Sequence, residues 1–155
     1  MRFGKWIVPF LILLCAIASH ASAQERRLKR ADLPPAVQKA ADQESQGATV
    51  RGYSSEKNGD QLEYEVAMRR HGHNRDVTIG GDGTVLEIEE EVALDSLPAA
   101  VRTGLVQLAG SGKITKVESL TKHGALVAYE AQVRTGAKRS EIQVGPDGKP
   151  LAHPE

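Results

Sequence analysis

Two histidines separated by a single residue are the first candidates for chemistry in this sequence of 155 residues. His71 and His73 flank Gly72, and two imidazoles at this spacing on an extended segment can face one metal ion. The intervening glycine is equally typical of a turn at the tip of a hairpin. We predict the exposed turn and no metal site. His71 and His73 are the candidate ligands of the alternative, a transition-metal site that could be completed by Asp76, His123 or His153.

Paired carboxylates are a second candidate, because Glu65 and Glu130 each follow a tyrosine in two similar stretches of the chain. A catalytic acid and base need an enclosing pocket that separates their pKa values, and we expect none on an outward strand face. The sequence contains no Gly-x-Ser-x-Gly turn, no His-Glu-x-x-His and no phosphate-binding glycine loop. The prediction is therefore a protein that is not an enzyme and uses no cofactor.

Two aspartates, Asp82 and Asp147, each precede a glycine, as the first residues of calcium loops can. A complete calcium loop also needs oxygen ligands at alternating positions and a late glutamate, which are absent from both places. Asp-Gly is the pair that supplies left-handed backbone to tight hairpins. We predict turns at both positions.

Two strands of alternating polarity, Leu62–Met68 and Val127–Val133, are the elements that would position the glutamates. Apolar side chains at every second position, with Tyr64 and Tyr129 at the centres, indicate strands with one buried face. The second stretch is a near copy of the first, 65 positions later. This recurrence predicts that one structural unit occurs twice.

A helix opening precedes each set of strands. Asp32-Leu33-Pro34-Pro35 predicts a helix that runs to about Glu44, and Asp95-Ser96-Leu97-Pro98 predicts a second that ends near Gly110. Turn residues then divide the rest into strands. The predicted strands are Ala48–Ser55, Gln61–Arg70, Asn74–Ile79, Thr84–Val92, Lys113–Thr121, Leu126–Arg134 and Ser140–Gly145, with a remnant at Pro150-Leu151.

The predicted fold class is α+β, a tandem repeat of a helix plus an antiparallel β-meander, with the helices packed on one face of the sheet. The first unit spans residues 32–92 and the second 95–151. The opposite face is expected to be wet or to meet a partner. The candidate binding residues on that face are Glu63, Glu65, Arg69, Glu130, Gln132 and Arg134.

The fourth strand of the first unit carries an acidic run, Glu87, Glu89, Glu90 and Glu91. Charges of this kind keep a sheet edge solvated and discourage pairing between molecules. The alternative is an interaction surface for a basic partner. We predict the solvated edge.

Residues 1–23 have the parts of a secretory signal peptide. Arg2 and Lys5 form a charged start, an apolar run follows, and Ala21-Ser22-Ala23 supplies small residues before Gln24. We predict cleavage after Ala23 and a periplasmic or secreted protein, with a retained membrane anchor as the alternative. Residues 24–31 are predicted to be a polar, basic leader.

Removal of the signal sets the charge and the aromatic content of the mature chain. Loss of Arg2 and Lys5 leaves 18 Lys and Arg against 20 Asp and Glu, and only three tyrosines remain as aromatics. This composition offers neither a basic field nor stacking faces for nucleic acid. We predict no nucleic-acid partner and no stable membrane span after cleavage.

Three short motifs occur twice in the same order: Leu33-Pro34-Pro35-Ala36-Val37 and Leu97-Pro98-Ala99-Ala100-Val101, Tyr64-Glu65 and Tyr129-Glu130, Asp82-Gly83 and Asp147-Gly148. With them the chain resembles the PepSY-like, beta-lactamase-inhibitor-like (BLIP-like) secreted proteins over residues 32–151. The resemblance implies a tandem helix-plus-meander fold in the bacterial envelope and a non-catalytic role in binding or restraining another protein, such as a peptidase. The mature chain has no cysteine, unlike the inhibitors, and beta-lactamase inhibition is not carried over.

The predicted function is that of a secreted, non-catalytic binding module of the cell envelope that holds or inhibits a protein or peptide partner. The duplicated helix-meander plan without an active site is the basis for this prediction. The alternative is a small-ligand or metal-binding envelope protein that works through the hairpin of His71 and His73.

Overall fold

The structure of the protein is a computed structural model that describes residues 25–155. The predicted signal peptide therefore lies outside the described residues. The described chain contains two α-helices and eight β-strands, with short 3-10 turns before each helix. Their bounds are β1 Arg26–Leu28, α1 Pro35–Glu44, β2 Thr49–Asn58, β3 Gln61–Arg70, β4 His73–Gly80, β5 Val85–Glu91, α2 Ala99–Ala109, β6 Lys113–Lys122, β7 Ala125–Thr135 and β8 Lys138–Val144.

All eight strands form one antiparallel sheet in which each strand pairs with its neighbours in chain order. The two halves of the chain join where β5 pairs with β6, with Glu90 opposite Ser119. The prediction of a solvated sheet edge at the acidic run was therefore wrong, because β5 is bonded on both sides. Pairing satisfies the backbone groups that two separate meanders would leave open at this edge.

Both helices cover the same face of the sheet, as predicted. Ile88 of β5 packs against the first core cluster, which includes Val37 of α1. Two residues further along β5, Glu90 lies opposite Ser119 of β6. Val117 is two residues before Ser119 on β6, and it packs in the second core cluster with α2. Directly opposed residues share a face, and positions two apart on a strand do as well. The helices therefore lie side by side on one face.

Each helix packs on its own set of apolar side chains. Tyr64 belongs to the core cluster under α1, and Tyr129 packs against the cluster under α2. Removal of these side chains from water is the main favourable contribution to folding. The fully buried side chains with the largest volumes are Met68, Ile79, Leu105, Val37, Val66, Val77, Val101 and Val144.

The predicted basic leader contains structure of its own. Arg26–Leu28 forms β1, an edge strand in which Leu28 pairs with Tyr53 of β2. Leu28 also packs against the first core cluster. A single apolar residue among basic neighbours gives a weak strand signal, which is why the sequence predicted a solvated segment.

The tight turns are of the kinds that the sequence predicted. His71 and Gly72 connect the paired residues Arg70 and His73, and both turn residues have positive φ, 51° and 88°. This is the geometry of a two-residue hairpin turn. In the turn after β4, the Thr84 backbone N–H donates to Asp82 Oδ1 at 2.9 Å.

Candidate functional site

The sheet face opposite the two helices, here called the open face, is the candidate functional surface. On β3 the core side chains Tyr64, Val66 and Met68 alternate with Glu63, Glu65 and Arg69, which therefore point to the open face. The same alternation on β7 turns Glu130, Gln132 and Arg134 to it. All six predicted binding residues thus lie on the open face, and their role in binding stays a prediction.

The structure does not bring these six residues together. β4, β5 and β6 lie between β3 and β7, so four strand spacings separate Glu65 from Glu130, a distance of about 19 Å. Carboxylates that far apart cannot act on one bond as acid and base. The geometry therefore provides no reason to pair Glu65 with Glu130 as acid and base.

A group of three carboxylates occupies the middle of the open face. We call Asp76, Glu89 and Glu118, from β4, β5 and β6, the acidic centre. Asp76 is the direct cross-strand partner of Glu89, and ligand oxygens of the three side chains lie within 4.8 Å of one another. Glu118 is only 4% exposed, and its carboxylate is 2.6 Å from the ammonium of Lys116. Only one of the three charges is therefore neutralised at hydrogen-bond distance.

Crowding of these carboxylates changes their proton affinity. Burial, followed by the charge of Glu118, raises the pKa of Glu89 to about 8. Burial also raises the pKa of Asp76, again with a contribution from Glu118. Further along the face, burial and then the charge of Asp76 raise the pKa of Glu65. The acidic part of the open face, around these three carboxylates, therefore favours protons or other cationic groups near neutral pH.

The carboxylate oxygens of the acidic centre define what it can bind. Carboxylate oxygens accept hydrogen bonds from ammonium and guanidinium groups, and they are also the ligands that hard divalent cations prefer. The centre supplies three carboxylates, whereas Ca²⁺ takes six to eight oxygens. By its chemistry this is a place for a positively charged group, from a side chain or an ion.

The last residues of the chain lie against one side of the open face. The backbone N–H of Glu155 donates to Gln143 Oε1 at 2.8 Å, and Gln143 Nε2 donates to Glu130 Oε2 at 2.8 Å. The Glu155 carboxylate lies 3.7 Å from the ammonium of Lys122. The terminal segment therefore contacts β8 and β6 beside the acidic centre. Among the described residues, no hydrogen bond joins this segment to Asp76 or Glu89.

The two candidate histidines lie at a corner of the molecule. His71 is inside the turn and His73 opens β4, and both side chains are exposed, as predicted for a hairpin tip. Among the described residues, one group of three ligand-type side chains is close enough to share an ion, and neither histidine belongs to it. Metal binding by this pair stays a prediction of the alternative function.

Sequence reasoning missed Glu118 and Lys116, and it considered Asp76 only as a possible further ligand beside His71 and His73. Glu89 was noticed as a member of an acidic run, but its two carboxylate neighbours are 13 positions before it and 29 positions after it. Only the pairing of β4 with β5 and of β5 with β6 brings them together. Strand alternation alone could have assigned each residue to the open face once that sheet order was known.

No model of a known protein family matches this sequence, and no curated protein matches it either. Solved structures do match. A BLIP-like protein from Bacteroides fragilis superposes with a TM-score of 0.59 at 20% sequence identity, over 77% of this chain and 83% of that chain. The fold is BLIP-like.

Two further structures share the BLIP-like fold. A supposed periplasmic protein from Bacteroides eggerthii has a TM-score of 0.64 at 20% identity and covers 77% of this chain and 86% of its own. A DUF2874 family protein from Bacteroides ovatus has a TM-score of 0.61 at 18% identity, with the same coverage of 77% and 86%. Identities this low show the fold alone. In the part of the chain that the structure describes, no helix is long and apolar enough to span a membrane.

Proposed function

We propose that this protein is a non-catalytic binding module of the bacterial periplasm whose open face holds a protein or peptide partner, such as a peptidase that it restrains. Three observations support the proposal. The sequence begins with the parts of a secretory signal, and the fold is BLIP-like. The Bacteroides eggerthii protein of this fold carries a provisional description as periplasmic. These observations concern the compartment and the architecture of the protein. The support for a binding site comes from the open face itself.

The observation that carries the proposal is the uncovered side of the sheet. Both helices pack on one face of the eight strands, so the other face has no covering layer in the described residues apart from the terminal segment at one side. Sheets that bury only one face normally carry a simply polar, solvated second face. Here that face instead includes Glu118, which is almost fully buried, and carboxylates with raised pKa.

The chemistry of the acidic centre defines the partner. A lysine or arginine side chain placed between Asp76 and Glu89 would form charge-assisted hydrogen bonds and relieve the repulsion between the carboxylates. Arginine is also among the residues that carry most of the energy of protein interfaces. The partner is therefore a protein or peptide that presents a basic side chain from an exposed segment.

We also propose that residues 32–92 and 95–151 are two copies of one PepSY-like unit. The support is the recurrence of motifs 64 or 65 positions apart and the same order of a helix followed by antiparallel strands in each half. In this proposal neither copy forms the binding surface alone, because the acidic centre takes Asp76 and Glu89 from the first copy and Glu118 from the second.

The test is affinity capture of periplasmic extract on three immobilised proteins. The wild-type chain is compared with the double variant Asp76→Asn/Glu89→Gln, which removes charge from the acidic centre while keeping side-chain shape. Asp60→Asn/Asp95→Asn is the control, since it removes two exposed carboxylates outside the acidic centre. The captured protein is then identified, purified and titrated against each variant.

We expect the wild type and the control to retain the same partner with similar Kd. The acidic-centre variant should bind it at least about tenfold more weakly, as expected for loss of a charge-assisted hydrogen bond. Equal binding by all three proteins, or no specific partner from the extract, would contradict the proposal.

A further inference from the structure

A row of three cationic side chains crosses the far end of the open face. Lys113 of β6 is the cross-strand partner of Arg134 on β7, and Arg134 is in turn the partner of Arg139 on β8. Directly opposed residues share a sheet face, so Lys113 and Arg139 point to the open face together with Arg134. We call Lys113, Arg134 and Arg139 the cationic row.

The charges of the cationic row are not neutralised by the protein. Among the described residues, no ion pair within 4.0 Å includes Lys113, Arg134 or Arg139. Like charges that oppose one another directly across a sheet destabilise it. An anion placed between the guanidinium groups of Arg134 and Arg139 would replace this repulsion by attraction to the anion.

The first half of the chain provides an internal comparison. Arg69 holds the corresponding place on β3, 65 residues before Arg134, but its cross-strand partners are Thr49 and Asn74. The Nε of Arg69 donates to the carbonyl oxygen of Gly72 at 3.0 Å. Both neutral neighbours of Arg69 are thus replaced by cations around Arg134, which makes the row a local feature of the second half and not a general property of the fold.

A groove of about 550 Å³ lies beside the cationic row. This volume is within the range of small-molecule binding sites. Arg134 and Arg139 contribute positive charge to its walls. Lys116 also lines the groove, but its ammonium is paired with Glu118, and Glu141 is the carboxylate on the walls. The remaining lining residues are the apolar Val133 and the polar Thr115, Gln132 and Ser140, which add hydroxyl and amide groups to the walls.

We propose that this groove is a binding site for a small anionic molecule whose carboxylate or phosphate groups are held by Arg134 and Arg139. The planar guanidinium matches the two oxygens of either group, so each arginine can form two parallel hydrogen bonds. Lys113 adds a third positive charge at the end of the row. The site is separate from the acidic centre and does not rest on the proposed protein partner.

The experiment is an NMR titration of the ¹⁵N-labelled mature chain with two probes, inorganic phosphate and citrate, at ionic strength held constant with sodium chloride. The variants are Arg134→Gln and Arg139→Gln, each tested separately because either one alone removes half of the proposed pair. Arg69→Gln is the matched control, since it removes an arginine from the same face at the corresponding position of the first half. Dispersed amide spectra verify that each variant is folded.

We expect saturable shifts at residues 113–116, 132–135 and 138–141, weakened about tenfold or more by Arg134→Gln and by Arg139→Gln and unchanged by Arg69→Gln. Tighter binding of citrate identifies carboxylate as the natural group, and tighter binding of phosphate identifies phosphate. Absence of saturable shifts with both probes overturns the proposal. So does an equal loss in Arg69→Gln, because the effect would then belong to exposed arginines in general.

Discussion

Glu89 is the residue of the open face whose raised pKa has the clearest consequence for the protein. Its carboxylate lies within reach of Asp76 and Glu118, and burial, followed by the charge of Glu118, raises its pKa to about 8. A glutamate in the unfolded chain titrates near pH 4.5. The folded protein therefore binds a proton at Glu89 over a pH range in which the unfolded chain has released it.

This difference gives stability a pH dependence of definite sign. The contribution of Glu89 to the free energy of unfolding is fully present below about pH 4.5 and is lost as pH rises toward 8, because the folded state holds the additional proton. Glu89→Gln removes the titrating group but keeps the shape. We expect this variant to raise Tm by about 2–5 °C at pH 8.5 and by less at pH 5.

Thermal unfolding monitored by circular dichroism at the two pH values measures this effect. Glu56→Gln is the control, because Glu56 is exposed on β2 and should change Tm little at either pH. A gain in Tm at Glu89→Gln that is equal at pH 5 and pH 8.5, or larger at pH 5, would be inconsistent with a raised pKa at this position.

At the residue scale, the sequence could predict which side chains point to the open face but not which of them meet. Alternation about Tyr64 and Tyr129 assigned Glu65 and Glu130 correctly to that face. Asp76, Glu89 and Glu118 are far apart in the chain, and their proximity depends on the pairing and register of three strands. Register between separate hairpins is not encoded by any local pattern.

At the scale of elements, each Asp-Gly turn packs on the first turns of a helix. The Cβ position of Gly83 is 2.8 Å from the Ala36 carbonyl oxygen, and that of Gly148 is 2.3 Å from the Ala100 carbonyl oxygen. Any side chain at these positions would collide with the helix backbone. The glycines therefore serve both the left-handed turn conformation and the close approach of α1 and α2 to the sheet.

Gly104 extends the same contact from the side of the helix. A Cβ at Gly104 would lie 2.0 Å from the carbonyl oxygen of Gly148, in the turn that follows β8. Alanine is about 1 kcal/mol more favourable than glycine within a helix, but overpacking a close contact costs about 1–3 kcal/mol. We expect Gly104→Ala to lower the free energy of unfolding by about 1–2 kcal/mol.

Urea denaturation compares this variant with Gly52→Ala as the control, since no atom lies within 4 Å of a Cβ built on Gly52. The control should be close to the wild type. A Gly104→Ala protein at least as stable as the wild type would show that helix propensity, and not the contact with Gly148, controls this position.

Most elements were predictable because their signals are local. β3 has the bounds that alternation predicted, and α1 ends at Glu44 as expected. β1 was missed because a strand of three residues carries too little periodicity to be recognised, and its pairing with β2 supplies what the sequence lacks.

At the scale of the whole molecule, the pairing of β5 with β6 decides where a partner can bind. It joins the five strands β1–β5 and the three strands β6–β8 into one sheet, and it brings carboxylates from both halves to the middle of one face. The sequence left open whether the meanders join. This long-range pairing converts a surface that looked like a protected edge into the centre of the open face.

The most direct test of this account is an NMR titration of ¹⁵N-labelled residues 24–155 with a hexalysine peptide in about 0.1 M salt, with a neutral Gly/Ser peptide of the same length as the control. We expect the largest amide shifts near Asp76, Glu89 and Glu118, little change in α1 and α2, and no response to the neutral peptide. Largest shifts in the two helices, or no saturable shift in β4, β5 and β6, would contradict the assignment of the open face as the binding surface.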